Sequence, residues 1–260
     1  MNIRSIGLIF RRELQSYFGS LIAYVTITMF LVIAGYFFYN LLATFSVVSF
    51  QAQTNVMLAK QYQLLNINET VVRPLFGNIS IIMLLMTPLL TMRLFSEEKK
   101  TGTIELLLTY PVKDVDVVIS KFLACFAVFL VMILLTVTFP ILLMAFGEPE
   151  VMPIITGYLG LILLGAAFVS LGMFTSSLTE NQIVSASICF GVLFFFWLMS
   201  YSAAFVSAGF GRVITYLSIN EHIASLAKGV VDTEDVIYYL CFTVLFLFLT
   251  LRSLESKRWR

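Results

Sequence analysis

The residues best suited to polar chemistry are gathered in one place. Arg93, Glu97, Glu98, Lys99, Lys100, Glu105, Lys113, Asp114, Asp116 and Lys121 are ten of the chain's charged residues, which number 16 basic and 15 acidic in all. They sit in RLFSEEKKTGTIELLLTYPVKDVDVVISK, Arg93 to Lys121. Acids and bases interleaved with aliphatic residues suit charge-assisted contacts with a surface, not bond breaking. Elsewhere the catalytic repertoire is thin. His222 is the only histidine and has no second ligand-type residue at metal spacing, so it reads as a structural or solvent-facing residue. Neither an HExxH helix nor a phosphate-cradling GxxxxGK[ST] loop occurs. Cys125, Cys189 and Cys241 lie inside apolar runs without metal spacing and read as small hydrophobes. The expectation is a chain that is not itself an enzyme and binds no cofactor or metal directly.

The elements that must hold this charged stretch follow from its punctuation. Ser96 to Thr101 is a polar start, Gly102 a helix breaker, Ile104 to Leu108 an apolar turn, and Tyr110-Pro111 a stop, the pattern of a short helix between turns. Ile104, Leu106, Leu107 and Leu108 fall outside any membrane-length run, and side chains of that kind need a protein surface. A partner would supply one. A helix lying on the protein's own inner ends would serve equally well.

The rest of the chain is membrane-like. Hydrophobic residues make up 60% and charged ones 12%, with mean hydropathy +0.96, far from soluble globular composition. No basic patch is interleaved with exposed aromatics, which excludes a nucleic-acid surface. Six apolar runs approach the about 20 residues that a bilayer requires: Leu21 to Ala43, Phe76 to Phe95, Phe122 to Phe146, Ile154 to Leu178, Ile183 to Val206, and Val236 to Leu251. With both termini inside, twelve Lys and Arg fall on the cytoplasmic side, against Lys60, Arg73, Arg212 and Lys228 outside. That bias places the termini and the charged stretch in the cytoplasm.

Residues 1–19 put Ile3, Ile6, Phe10, Leu14 and Tyr17 at helical spacing with Arg4, Arg11, Arg12 and Gln15 off the stripe, as a helix on a membrane surface does. The first apolar run lacks a small-residue cleavage site and is not expected to be a removable signal. Asp114 is the expected N-cap of a long third helix that reaches into the cytoplasm, and Pro88 and Pro140 are expected kinks. The outer loop 44–75 suggests a small helical cap. Its Asn68-Glu69-Thr70 matches a glycosylation pattern that is expected to be unused. In the outer loop 207–235, Gly229 should close one short helix and Asp232 or Thr233 cap the next. The layout is therefore one domain over 1–260: a surface helix 1–19, two spans within 20–95, a cytoplasmic region 96–121, spans three to five within 122–206, the outer loop 207–235, and a last span with a basic tail over 236–260. Gly165, Gly172 and Ser176 form a small-residue face suited to helix packing or dimerisation. No charged residue lies in mid-span, which disfavours a secondary transporter.

Met92-Arg93-Leu94-Phe95-Ser96-Glu97-Glu98-Lys99, followed by Gly102-Thr103-Ile104-Glu105-Leu106-Leu107-Leu108-Thr109 and Pro111, resembles the permease subunits of export-type (type 2) ABC transporters. In that family this stretch is a coupling helix resting on the ATPase. Arg12-Glu13-Leu14 with Tyr17-Phe18-Gly19-Ser20, preceded by Arg11, resembles the family's N-terminal connecting helix. Tyr216 to His222 and Lys228-Gly229-Val230-Val231 resemble the branch named for gliding motility. The resemblance implies an all-α polytopic membrane protein of the inner membrane, with six transmembrane helices, an amphipathic connecting helix and a cytoplasmic coupling helix. It implies an ABC ATPase subunit that holds ATP and Mg2+ and a homodimer or heterodimer with a related permease; an outer-facing companion is a further candidate partner. It assigns Arg93, Glu97, Glu98, Gly102, Thr103, Ile104, Glu105, Leu106, Leu107, Leu108 and Pro111 to ATPase coupling, and Arg11, Arg12 and Glu13 to the connecting helix. No residue is assigned to substrate. A force-transmitting envelope or motility component that moves no solute is the alternative reading.

Overall fold

The computed structural model describes residues 3–54, 66–103, 113–147, 149–202 and 208–258. Every described element is helical. In order they are α1 (Ile3–Phe18), α2 (Leu21–Thr54), a π-helical turn (Asn68–Val72), α3 (Arg73–Thr91), α4 (Arg93–Lys100), α5 (Asp114–Thr136), α6 (Thr138–Phe146), α7 (Val151–Leu178), α8 (Gln182–Ser202), α9 (Ala208–Leu217), α10 (Ile219–Leu226) and α11 (Thr233–Arg258). Six stretches are long and apolar enough to cross a bilayer: Leu21–Gln51, Asn68–Lys100, Asp114–Ala145, Val151–Leu178, Gln182–Ser200 and Thr233–Ser256. The protein is an all-α polytopic membrane protein.

Helix boundaries depart from the apolar runs for local reasons. In α2 the helix continues past Ala43 to Thr54; there the Thr44 side chain is accommodated on the helix, its Oγ1 donating to the Asn40 carbonyl at 2.8 Å. Pro140 removes the donor that would reach the Thr136 carbonyl, and the third span breaks at Val137, between α5 and α6. Pro88 sits inside α3 without ending it, and the break falls at Met92 instead. Asp114 is not the N-cap of α5. Lys113 holds that position with extended backbone, and Asp114 and Asp116 occupy the first turn, where carboxylates oppose the positive end of the helix. Gly102 and Gly229 adopt φ of 71° and 91°, left-handed values that stop α4 and the α10 turn.

The centre of the fold is α7, which touches α3, α4, α5, α8, α10 and α11. Two thirds of its apolar window is buried, as is that of the span containing α3, against 17% for α8 and 22% for α11. Glycines allow this closeness. A Cβ at Gly157 would stand 2.2 Å from the Phe76 ring, and one at Gly172 2.2 Å from Thr91 Oγ1. The small-residue face of α7 therefore packs within the chain: Gly165 meets Met83 and Phe129, Gly172 meets Thr91, and Ser176 meets α4. Hydroxyls inside the spans donate to their own helix, as Thr87 does to Met83 and Thr250 to Phe246, which leaves no polar group open to lipid at those positions.

At the far end of the spans from α4, the short helices α9 and α10 are held by side chains from α7 and α11. Thr156 Oγ1 donates to the Leu226 carbonyl, Tyr238 Oη to Leu217 and Tyr239 Oη to Ile219, all at 2.7–2.8 Å. His222 belongs to this fastening. Its Nε2 lies 2.9 Å from the Tyr216 carbonyl oxygen. Its Nδ1 lies 2.6 Å from Asp235 Oδ1, and Tyr238 stacks on the ring at 4.0 Å. Asn68 is buried within its π-turn.

Candidate functional site

The charged interruption folds into a buttress at one end of the bundle. After the break at Met92, the first N–H groups of α4 have no partner within their own helix. Ser176 of α7 caps them from outside: its Oγ accepts from Phe95 N at 3.0 Å and Ser96 N at 3.1 Å, and donates to the Met92 carbonyl at 3.0 Å. Ser96 Oγ returns a bond to the Ser176 carbonyl at 3.1 Å. Lys99 Nζ donates to the Ser177 carbonyl, and Ser253 Oγ of α11 reaches the same oxygen at 3.3 Å. These bonds fix α4 to the end of the central helix.

A second set of contacts fixes α4 to α1 and α5. Lys121, on the second turn of α5, is only 2% exposed, and its Nζ lies 2.9 Å from Glu98 Oε1 and 3.1 Å from Glu13 Oε1. Arg12 reaches the same Glu98 oxygen at 3.4 Å and Glu13 at 3.7 Å. Two cations face two carboxylates, so the cluster is formally neutral, and Lys121 also lies 5.4 Å from the Phe95 ring centroid. A buried ammonium is tolerated only with such compensation. Arg93 pairs loosely with Glu97 at 3.8 Å, and its Nη1 donates to Ser20 Oγ at 3.3 Å in the turn between α1 and α2. Tyr17 Oη donates to the Leu90 carbonyl at 2.9 Å, and burial pushes its phenol well above the ordinary value. A cavity of about 580 Å3 lies among these groups, bounded by Arg12, Tyr17, Arg93, Glu97, Glu98 and Thr103.

The residues singled out in the sequence separate in space. Glu98 turns inward to Lys121 and Arg12, whereas Glu97 is half-exposed. Arg93 bridges α4 to the Ser20 turn, Gly102 and Thr103 end the described part at the surface, Arg11 points outward, and Arg12 and Glu13 converge on Lys121. Ile104, Glu105, Leu106, Leu107, Leu108 and Pro111 lie outside the described residues.

Lys121 and Ser176 carry the buttress, yet only a faint sequence signal points to either. Lys121 is a lone cation among Val117, Val118, Phe122 and Leu123, and a cation so placed calls for a carboxylate from another element. Nothing in the sequence says which carboxylate. Among the described residues no three metal-ligating side chains cluster. The arrangement locks three helices and a turn to one short segment.

One family model, described as ABC-2 family transporter protein, matches residues 53–252. The matched region contains the whole Arg93 to Lys121 stretch and leaves out α1. No curated protein matches the chain.

Proposed function

The chain belongs to the ABC-2 family of transporter proteins, and on that premise we propose that this membrane component is driven by ATP hydrolysis in a separate ATPase subunit, which presses on residues 104–108. The observation that carries the proposal is the fixing of α4 by Lys121, Ser176 and Lys99 directly ahead of that segment. Force applied at 104–108 passes through Gly102 into a segment bonded to α1, α5 and α7 together. It therefore moves these helices as one body instead of being absorbed by a soft loop. Nucleotide can shift such a body only through contacts that differ between its two states.

In this reading the buttress residues have distinct tasks. Glu97 and Glu105 meet basic groups of the ATPase through charge-assisted bonds, and Ile104, Leu106, Leu107 and Leu108 fill its groove. Glu98 holds the platform from within. ATP and Mg2+ reside in the partner. In this proposal both termini and the buttress face the cytoplasm, a reading that the excess of Lys and Arg on that side supports, and the membrane is the inner one that the family resemblance implies. The weakly buried faces of α2 and α8, including Tyr36, Tyr39, Ile183 and Phe195, meet lipid or a second permease, identical or related. The resemblance of Tyr216 to His222 to the gliding-motility branch adds an outer-facing companion to the proposed assembly.

Glu105→Lys tests the interface. It is expected to lower ATPase copurification about fivefold to tenfold, the scale of one lost charge-assisted contact, without changing the melting temperature of the permease alone. Unchanged copurification together with unchanged nucleotide-dependent transport would reject the role given to 104–108. ATP-dependent displacement of an outer partner without solute flux in proteoliposomes would favour force transmission over export.

A further inference from the structure

At the end of the spans opposite Lys121, a partly open cavity of about 370 Å3 lies between the start of α3 and the short helix α10, within the usual size of a small-molecule site. Its walls are unlike each other. Phe76, Ile223 and Ala227 supply an apolar side, and Glu69, Arg73 and Asn220 a polar one. Among the described residues, none of these three polar side chains has a hydrogen bond or ion pair. Arg73 is half-buried and Glu69, four residues before it, is exposed, yet the two do not pair with each other. Glu69 also lies in the π-helical turn Asn68–Val72, where the Arg73 N–H bonds back to the Asn68 carbonyl. Wide turns of this kind recur at functional sites.

A cation and an anion that share one cavity without neutralising each other form the complement of a zwitterion. We propose that this cavity binds the headgroup of an aminophospholipid, with its phosphate on Arg73, its ammonium on Glu69 and its upper acyl chain against Phe76 and Ile223. The location suits a lipid, since the ends of spanning helices lie at the level of headgroups. Guanidinium and phosphodiester oxygens form charge-assisted bonds. Glu69 repels a purely anionic headgroup, and a trimethylammonium offers it no N–H donor. The expected order is therefore phosphatidylethanolamine over phosphatidylglycerol and phosphatidylcholine. The proposal is independent of how the ATPase engages the other end.

Native mass spectrometry of the full chain, exchanged into micelles carrying the three lipids in equal amounts, reads the preference directly. Wild type is expected to retain phosphatidylethanolamine selectively. Arg73→Gln should lower that retention about tenfold, and Glu69→Gln should abolish the preference over phosphatidylglycerol. Ala224→Leu fills the cavity from the α10 wall without touching a charge, and should block retention even if Arg73→Gln proves unstable. Equal retention of all three lipids by wild type, or unchanged retention in Ala224→Leu, would overturn the site. Soluble glycerophosphoethanolamine should compete poorly. Competition as effective as that of the lipid would overturn the membrane source of the ligand.

Discussion

Replacing Lys121 with methionine is expected to destabilise the protein by about 3–5 kcal/mol, the usual cost of removing one partner from a buried ion pair. The apolar stem is roughly conserved in this change, so the loss comes from charge. Glu13 and Glu98 would remain side by side, paired among the described residues only to Arg12, and Arg12 is 65% exposed. Solvent screens what that guanidinium can offer, whereas the ammonium of Lys121 is shielded at 2% exposure. Removing the carboxylates as well should reverse much of the damage, because a buried pair replaced as a unit costs far less than a broken one. Lys121→Met combined with Glu13→Gln and Glu98→Gln should therefore melt closer to wild type than Lys121→Met alone. Thermal melting in detergent, followed by loss of the monodisperse peak, checks both. A single variant that melts like wild type would mean that the cluster does not hold α1, α4 and α5 together.

Gly172→Ala should be damaging for a steric reason. Its Cβ would lie 2.2 Å from Thr91 Oγ1, 2.6 Å from Thr91 Cβ and 2.8 Å from Thr91 Cγ2, whereas carbon atoms in good contact sit about 3.5–4.0 Å apart. Rotating Thr91 cannot relieve the clash, since its Cβ is fixed by the backbone, so α3 and α7 must separate. Overpacking of this kind costs about 1–3 kcal/mol and occasionally more; a clash with a fixed Cβ at the centre of the fold belongs at the upper end. Thr91→Gly in the same chain should restore the melting temperature. Gly191→Ala in α8 provides the contrast, because nothing stands within 4 Å of its added Cβ. It should be neutral or slightly stabilising through helix propensity. If Gly172→Ala and Gly191→Ala behave alike, α3 and α7 do not approach as described.

The spans were legible because bilayer length and apolarity leave few choices, and glycine stops were legible where the backbone needs positive φ, at Gly102 and Gly229. Less legible was where helices end. The first apolar run stops near Ala43 but α2 continues to Thr54, since hydropathy reports the lipid and not the backbone. The second run stops at Phe95, whereas the break comes earlier, at Met92, and a polar helix follows it. In the candidate site the sequence singled out the charged stretch, but it treated Glu97 and Glu98 as equals. Their opposite orientations depend on Lys121, on α5, and on Glu13, far earlier in the chain. Pairings over such separations leave no periodic trace. Ser176 was read as one of three small residues on a packing face, and it does pack, but its hydroxyl also caps a broken helix on a different element. Isolation in the sequence leaves the histidine structural or solvent-facing, and its burial and bonds to Asp235 and Tyr216 make it the former.

The central claim is that a nucleotide-driven neighbour presses on residues 104–108 and that the Lys121 buttress passes the stroke into the spans. Photocrosslinking in native membranes tests it most directly, with a light-activated amino acid replacing Leu107 and the captured partner identified by mass spectrometry with and without ATP. An adduct to an ATP-binding chain is expected, with a yield that changes with nucleotide. Adducts only to lipid, to water or to this chain itself, unaffected by nucleotide, would contradict it.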